Sequence, residues 1–167
     1  MTAINQMQIS YAPLEDRLML RVNTTNDQEF RFWLTRRYVL LLYQALAAHR
    51  AKDPDISSQP VGEARQAVQQ FKQEKAAEKG DFEQSFRDSS DFPLGETPVL
   101  ASKLQARSDQ GKLALTISPA QGNGINLVLD EHLNFNFSRL LNSAVAKAEW
   151  GIQARSAAPA AGSPVIN

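Results

Sequence analysis

The sequence predicts an α+β fold: two βββα repeats forming a mainly antiparallel sheet with pseudo-twofold symmetry, plus a central inserted helix. Three observations predict it. Apolar residues alternate with polar ones in short runs, the period of a half-buried strand. Each set of three such runs is followed by a capping residue and an apolar stretch of helical length. The first set also overlays the second without a gap at an offset of 95 residues, so that Leu18, Leu20 and Val22 fall on Leu113, Leu115 and Ile117.

In chain order, Met7, Ile9 and Tyr11 alternate with Gln8 and Ser10 as a first strand, which Pro13 to Asp16 interrupts. The second strand directs Leu18, Leu20 and Val22 inward and Met19 and Arg21 outward. Asn23 to Asp27 has turn chemistry. The third strand turns Phe30, Phe32 and Leu34 inward, with Glu29, Arg31 and Trp33 outward. Thr35 then caps a helix over Arg36 to His49, whose run from Tyr38 to Tyr43 is apolar nearly all round and so deeply packed.

In the second copy Leu104 takes the place of Ile9. Ile125, Leu127 and Leu129 take the places of Phe30, Phe32 and Leu34, Asp130 that of the Thr35 cap, and Phe137 and Leu141 those of Leu42 and Leu46. Ser118 to Gly124 is a turn. One such unit cannot bury both its sheet and its helix well, so two copies are expected to pair. The expected organisation is a single domain over 1–153: repeat one 4–50, an acidic linker and helix 51–96, and repeat two 97–150. In the middle segment Pro60 opens a helix with Ala64, Val68 and Phe71 on a thin stripe, and Gly80 ends it. Phe82, Phe86 and Phe92 follow in a Ser/Asp-rich stretch that either lies on the domain or docks on a partner. The tail 154–167, rich in Ala, Pro, Ser and Gly, is expected to be disordered.

The 18 basic and 18 acidic residues cancel, which argues against a strongly basic nucleic-acid binder or a polybasic membrane binder. The middle segment holds more acidic than basic residues, and both ends the reverse. With no cysteine, disulfides and thiolate chemistry are excluded. The start of the chain does not read as a signal peptide, and no apolar run is long enough to span a membrane, so a cytoplasmic protein is expected.

No residue pattern points to catalysis, a cofactor or a metal. His49 and His132 lack a partner at motif spacing, and the pairs Glu15-Asp16 and Asp130-Glu131 read as turn and cap residues. The candidate binding residues are Arg21, Arg31, Trp33, Arg36, Arg37 and Lys112. Arg21, Arg31 and Trp33 share the strand face opposite the core. They form either a base-stacking platform with phosphate-binding arginines or a face covered by the central helix or a second chain. Arg36 and Arg37 stand in the first turn of a helix, where the macrodipole disfavours cations. They either pair with Glu29 or Asp16 or form an anion-facing corner. Lys112 lies on the outward face of its strand, the counterpart of Arg17.

Two resemblances add to this. Leu14 to Val22, followed by Phe32 to Arg37, resembles a small family of uncharacterised proteobacterial proteins, a likeness that implies no function. Gly111 to Pro119 is similar to the Lys-Gly-Lys-x-Ala-Leu strand motif of Whirly single-stranded DNA-binding proteins, with Gln110 where Whirly has lysine. Whirly and PUR-type proteins also repeat an antiparallel sheet followed by a helix. The likeness implies single-stranded nucleic-acid binding, with Lys112 as a backbone contact. The leading expectation is a non-enzymatic binding module with weak, largely sequence-neutral binding of single-stranded nucleic acid, Arg21, Arg31 and Lys112 meeting phosphates and Trp33 stacking on a base. A protein-interaction or homodimerisation module, with the Arg/Trp face as its core, is the competing one.

Overall fold

The computed structural model describes residues 3–52 and 86–152. Its first three strands are β1 (Ile4–Ala12), β2 (Arg17–Thr24) and β3 (Glu29–Leu34), and they form an antiparallel meander. Helix α1 (Arg36–Ala51) follows. After residue 86 come β4 (Val99–Leu100), β5 (Lys103–Asp109), β6 (Lys112–Ser118), β7 (Ile125–Leu129) and helix α2 (Glu131–Ala148). The class is α+β, but the strands make two mainly antiparallel sheets where one was expected. Their orders are β1-β2-β3-β4 and β5-β6-β7. The reason lies at two adjacent residues. The Ala101 amide donates to the Trp33 carbonyl at 3.0 Å, and the Ser102 amide donates to Ser118 at 2.9 Å. The chain thus leaves the first sheet and enters the second within one peptide unit. The expected central helix, Phe82 and the tail lie outside the described residues.

Alternation places the core as expected. Leu18, Leu20, Val22, Phe32 and Leu34 of the first sheet are buried, as are Leu113, Leu115, Ile117, Leu127 and Leu129 of the second. Tyr38, Leu42 and Leu46 of α1 recur at helical spacing and join the same cluster, as do Phe137, Leu141 and Val145 of α2. Both caps form. The Thr35 hydroxyl accepts from the Tyr38 amide at 3.2 Å, and the Asp130 carboxylate accepts from the Leu133 amide at 2.8 Å.

Each helix also packs on the sheet it does not follow. Helix α1 touches β5 as well as β3, and α2 touches β1 and β2 as well as β7. The Tyr38 hydroxyl donates to the Lys103 carbonyl at 2.8 Å, and His49 Nδ1 lies 2.7 Å from Ser108 Oγ. At the other end Trp150 Nε1 donates to Asp16 at 2.9 Å and its ring meets Tyr11 edge-on. The Tyr43 hydroxyl, its ionisation pushed up to about 12 by burial, donates to Asn142 at 2.8 Å and ties α1 to α2.

The gapless 95-residue overlay holds for one hairpin and fails for the other. Leu18↔Leu34 and Leu20↔Phe32 become Leu113↔Leu129 and Leu115↔Leu127, as the offset demands. In the first hairpins, however, Val22 faces Met7 whereas Ile117 faces Leu104. Leu104 is therefore the register counterpart of Met7, not of Ile9. The cause is loop length. Residues 13–16 join β1 to β2, whereas Gln110 and Gly111 alone join β5 to β6. Both of these have positive φ, 51° and 78°, as a two-residue type I′ turn requires.

The turn before β7 is fixed by close approach. A Cβ on Gly124 would stand 2.1 Å from the Ile117 carbonyl oxygen and 2.5 Å from the Ser118 Cβ. Backbone cannot yield as a flexible side chain does. Gly124→Ala is expected to lower stability by about 2 kcal/mol, read by urea unfolding, whereas Gly122→Ala meets only Pro119 at 3.9 Å and is limited by its positive φ.

Candidate functional site

The outer face of the first sheet carries most of the candidate residues. Arg21 on β2 and Arg31 on β3 are cross-strand partners. Like charges directly opposite one another are destabilising, so this pair needs an acid. Glu29 supplies it. Arg21 donates from Nε to Glu29 Oε2 at 3.0 Å and from Nη2 to Oε1 at 3.2 Å, and Arg31 donates from Nε to Oε2 at 2.6 Å. Glu29 was expected on the outward face, open or covered by the central helix or a second chain. It does take the outward face, and it is fully buried. A segment beyond the expected strands lies over that face.

This strap runs from Phe86 to β4. The Phe86 ring lies 4.2 Å below the Arg21 guanidinium carbon and the Phe92 ring 4.9 Å from that of Arg31. Asp88 reaches Arg21 at 3.2 Å, and the Glu96 carbonyl accepts from Arg31 at 3.0 Å. Backbone pairing is sparse. Glu29 donates its amide to Asp91 at 2.8 Å beside a Gln28–Asp91 bridge, and β4 pairs in parallel with Phe32 and Trp33. At the strap's start, Asn23 is buried and fully occupied. It accepts from the Gln6 amide at 2.7 Å and donates to Gln6 Oε1 at 3.1 Å and to the Arg87 carbonyl at 3.0 Å.

The remaining candidates are placed differently. Trp33 is half-buried, next to Met19 and Leu100, with the Arg17 guanidinium 5.8 Å from its ring centroid. Arg36 and Arg37 do not form the expected pairs. Glu29 is held by Arg21 and Arg31, and Asp16 by Tyr11 and Trp150. The Arg36 Nε is buried without a hydrogen bond among the described residues, and Arg37 is exposed. Lys112 is exposed on the second sheet, opposite Asp109, and does not join the arginine group. On the same outward face of β5, Arg107 opposite Ala114 and Lys103 opposite Ser118, at the far end of β6, are exposed as well.

Sequence reasoning missed Glu29, Asn23 and the strap. The signal for Glu29 was present: two arginines on one face with a glutamate two residues from one of them. Of the phenylalanine stretch, Phe86 and Phe92 lie down on this domain. No helix of the described residues is long and apolar enough to cross a membrane, and no group of three potential metal-binding side chains occurs among them. Comparison with protein-family models, curated proteins and solved structures finds no significant match to this chain.

Burial alone would raise the Glu29 ionisation, but hydrogen bonds from Arg21 and then Arg31 hold it below the usual 4.5. A carboxylate with a depressed folded value contributes stability above its unfolded value, and loses it as pH falls through the folded one. Glu29→Gln leaves two guanidinium groups on a neutral amide and is expected to lower stability by about 3 kcal/mol at pH 7. Wild type should lose this contribution below about pH 4.5, whereas the variant should lack that component of its acid sensitivity. Urea unfolding from pH 7 to pH 3 measures both.

Proposed function

We propose that the protein is a non-enzymatic protein-interaction module whose contact surface is the outer face of the first sheet. The observation that carries this reading is the uncovered end of that face. Leu100 keeps 44% of its surface exposed, beside half-buried Trp33 and Met19, with Arg17 over the indole. Trp and Arg around an apolar centre are the residues that dominate protein interfaces. Arg21 and Arg31, by contrast, are held by Glu29 and covered by the strap, so a phosphate contact there must displace Asp88 and the rings of Phe86 and Phe92.

We further read residues 1–153 as one domain built from two βββα copies about a pseudo-twofold. Two things support this: the common register of β2–β3 and β6–β7, and the exchange of helices between sheets.

A second reading, single-stranded nucleic-acid binding, is favoured by one specific observation. Lys103, Arg107 and Lys112 are exposed on the outward face of β5–β6 with Asp109 as the acid among them, and the Whirly-like stretch lies on β6.

Wild type and Trp33→Ala are compared by light scattering for self-association and by quantitative capture of partners. Loss of association by at least about tenfold in the variant is expected for a Trp at an interface centre. No association that depends on Trp33 overturns the interaction reading. For the second reading, labelled oligo(dT) should bind at low salt. Three cationic contacts to a single strand give a log–log salt slope of about −2. Charge reversal of Lys103, Arg107 and Lys112 should abolish it, and no binding at low salt rejects it.

A further inference from the structure

Two guanidinium groups share one carboxylate on the outer face of the first sheet, so the site keeps one surplus positive charge. All three residues come from β2 and β3. The clamp is therefore complete on the sheet, and the strap is added to it. To the clamp the strap supplies one ring for each guanidinium, one carboxylate for the surplus charge and the Glu96 carbonyl for Arg31. Phe86 and Phe92 are six residues apart; between them Arg87 is hydrogen-bonded to Asn23 and Gln6 and Ser90 to Asp27, and Arg21 is met by Asp88. Its side chain is 91% exposed, and Arg87, Ser90 and Asp91 are exposed too. The second sheet has no such clamp. The positions matching Arg21 and Arg31 in register are Thr116 and Asn126, which bond to each other at 3.3 Å.

We propose that the Arg21–Glu29–Arg31 face is a peptide-binding surface occupied in cis by residues 86–92, and that the partner it fits is an acidic segment carrying two aromatic rings on either side of an aspartate. The inference rests on the reading of this sheet as the contact surface, and it names the partner's chemistry. Charge complementarity selects the occupant, since a basic or purely apolar segment leaves the surplus guanidinium charge unpaired in a half-buried site. Stacked cation–ring contacts reward the two aromatics in that site. The strap holds its place through these contacts, through its hydrogen bonds to Gln6, Asn23, Asp27 and Glu29, and through tethering, which gives a connected segment an effective concentration in the millimolar range.

The test uses the full chain and a labelled synthetic peptide with the sequence of residues 86–98, followed by fluorescence anisotropy. Wild type should bind it weakly, because its own strap competes. Phe86→Ala/Phe92→Ala should bind it at least about tenfold more tightly, since two cation–ring contacts hold the competitor down. The same peptide with both phenylalanines replaced by alanine should not bind the loosened variant. Asp88→Ala, at an exposed position that leaves folding intact, should give a smaller gain of about threefold, as expected of an exposed ion pair. Thermal melts confirm that each variant is folded, and if the double variant is not, Asp88→Ala alone decides. Equal binding by wild type and the folded loosened variants, or binding by neither, overturns the proposal. A Trp33-dependent association that survives such a result leaves the broader interaction reading standing and removes only this partner class.

Discussion

The outer face of the first sheet depends on one buried carboxylate. Without Glu29, Arg21 and Arg31 would face each other across β2 and β3 as like charges. With it, both guanidinium planes are fixed by three hydrogen bonds and present flat, apolar-tolerant surfaces outward. The strap uses those surfaces. Phe86 and Phe92 lie on them, and the Glu29 amide then holds Asp91 in line with β3. From there the chain runs on to pair as β4 and crosses to the second sheet at Ala101 and Ser102. The route by which one sheet is connected to the other thus lies over an ion-pair cluster.

The two sheets share a core and differ outside it. Leucine, isoleucine and valine fill equivalent inward positions, and each helix reaches the opposite sheet. On the outer side the first sheet has Arg21, Arg31 and Trp33 where the second has Thr116, Asn126 and Val128. A packed core constrains size and period, and an outer face is constrained only by what lies on it. The divergence between the two faces is therefore a statement about their occupants.

The core and the caps were legible in the sequence because they follow local periods. Leu18, Leu20 and Val22 alternate, Tyr38, Leu42 and Leu46 recur every fourth residue, and Thr35 and Asp130 stand immediately before their helices. The register of β1 against β2 was misread because an offset between copies ignores loop length, and here the loops differ by two residues. Glu29 was put on the right face, but what buries it was not legible. Alternation tells which face a residue takes but not whether that face is covered, and the cover comes from residues more than fifty positions away. The strap itself was unreadable as structure, since it has almost no regular pairing and Phe86 and Phe92 are separated by a wholly polar run, Arg87 to Asp91, with no alternation between them. The pairing of Arg36 and Arg37 with Glu29 failed because the acid was already taken by nearer arginines on its own sheet.

A buried charge cluster is a poor way to gain stability alone. Desolvating a carboxylate and two guanidinium groups costs several kcal/mol per ion, and well-packed apolar residues often replace such a group without loss. Its value lies in selectivity. An apolar patch in the same place would accept any apolar segment, whereas a clamp with one unmatched positive charge penalises every occupant that lacks an acid beside its rings. The strap of this chain carries both. Its contacts combine two rings over guanidinium groups and one exposed ion pair with hydrogen bonds to Gln6, Asn23, Asp27, Glu29 and Arg31 along its length. The charge that discriminates between occupants therefore stays with β2 and β3, and the rings and acid that satisfy it with the strap.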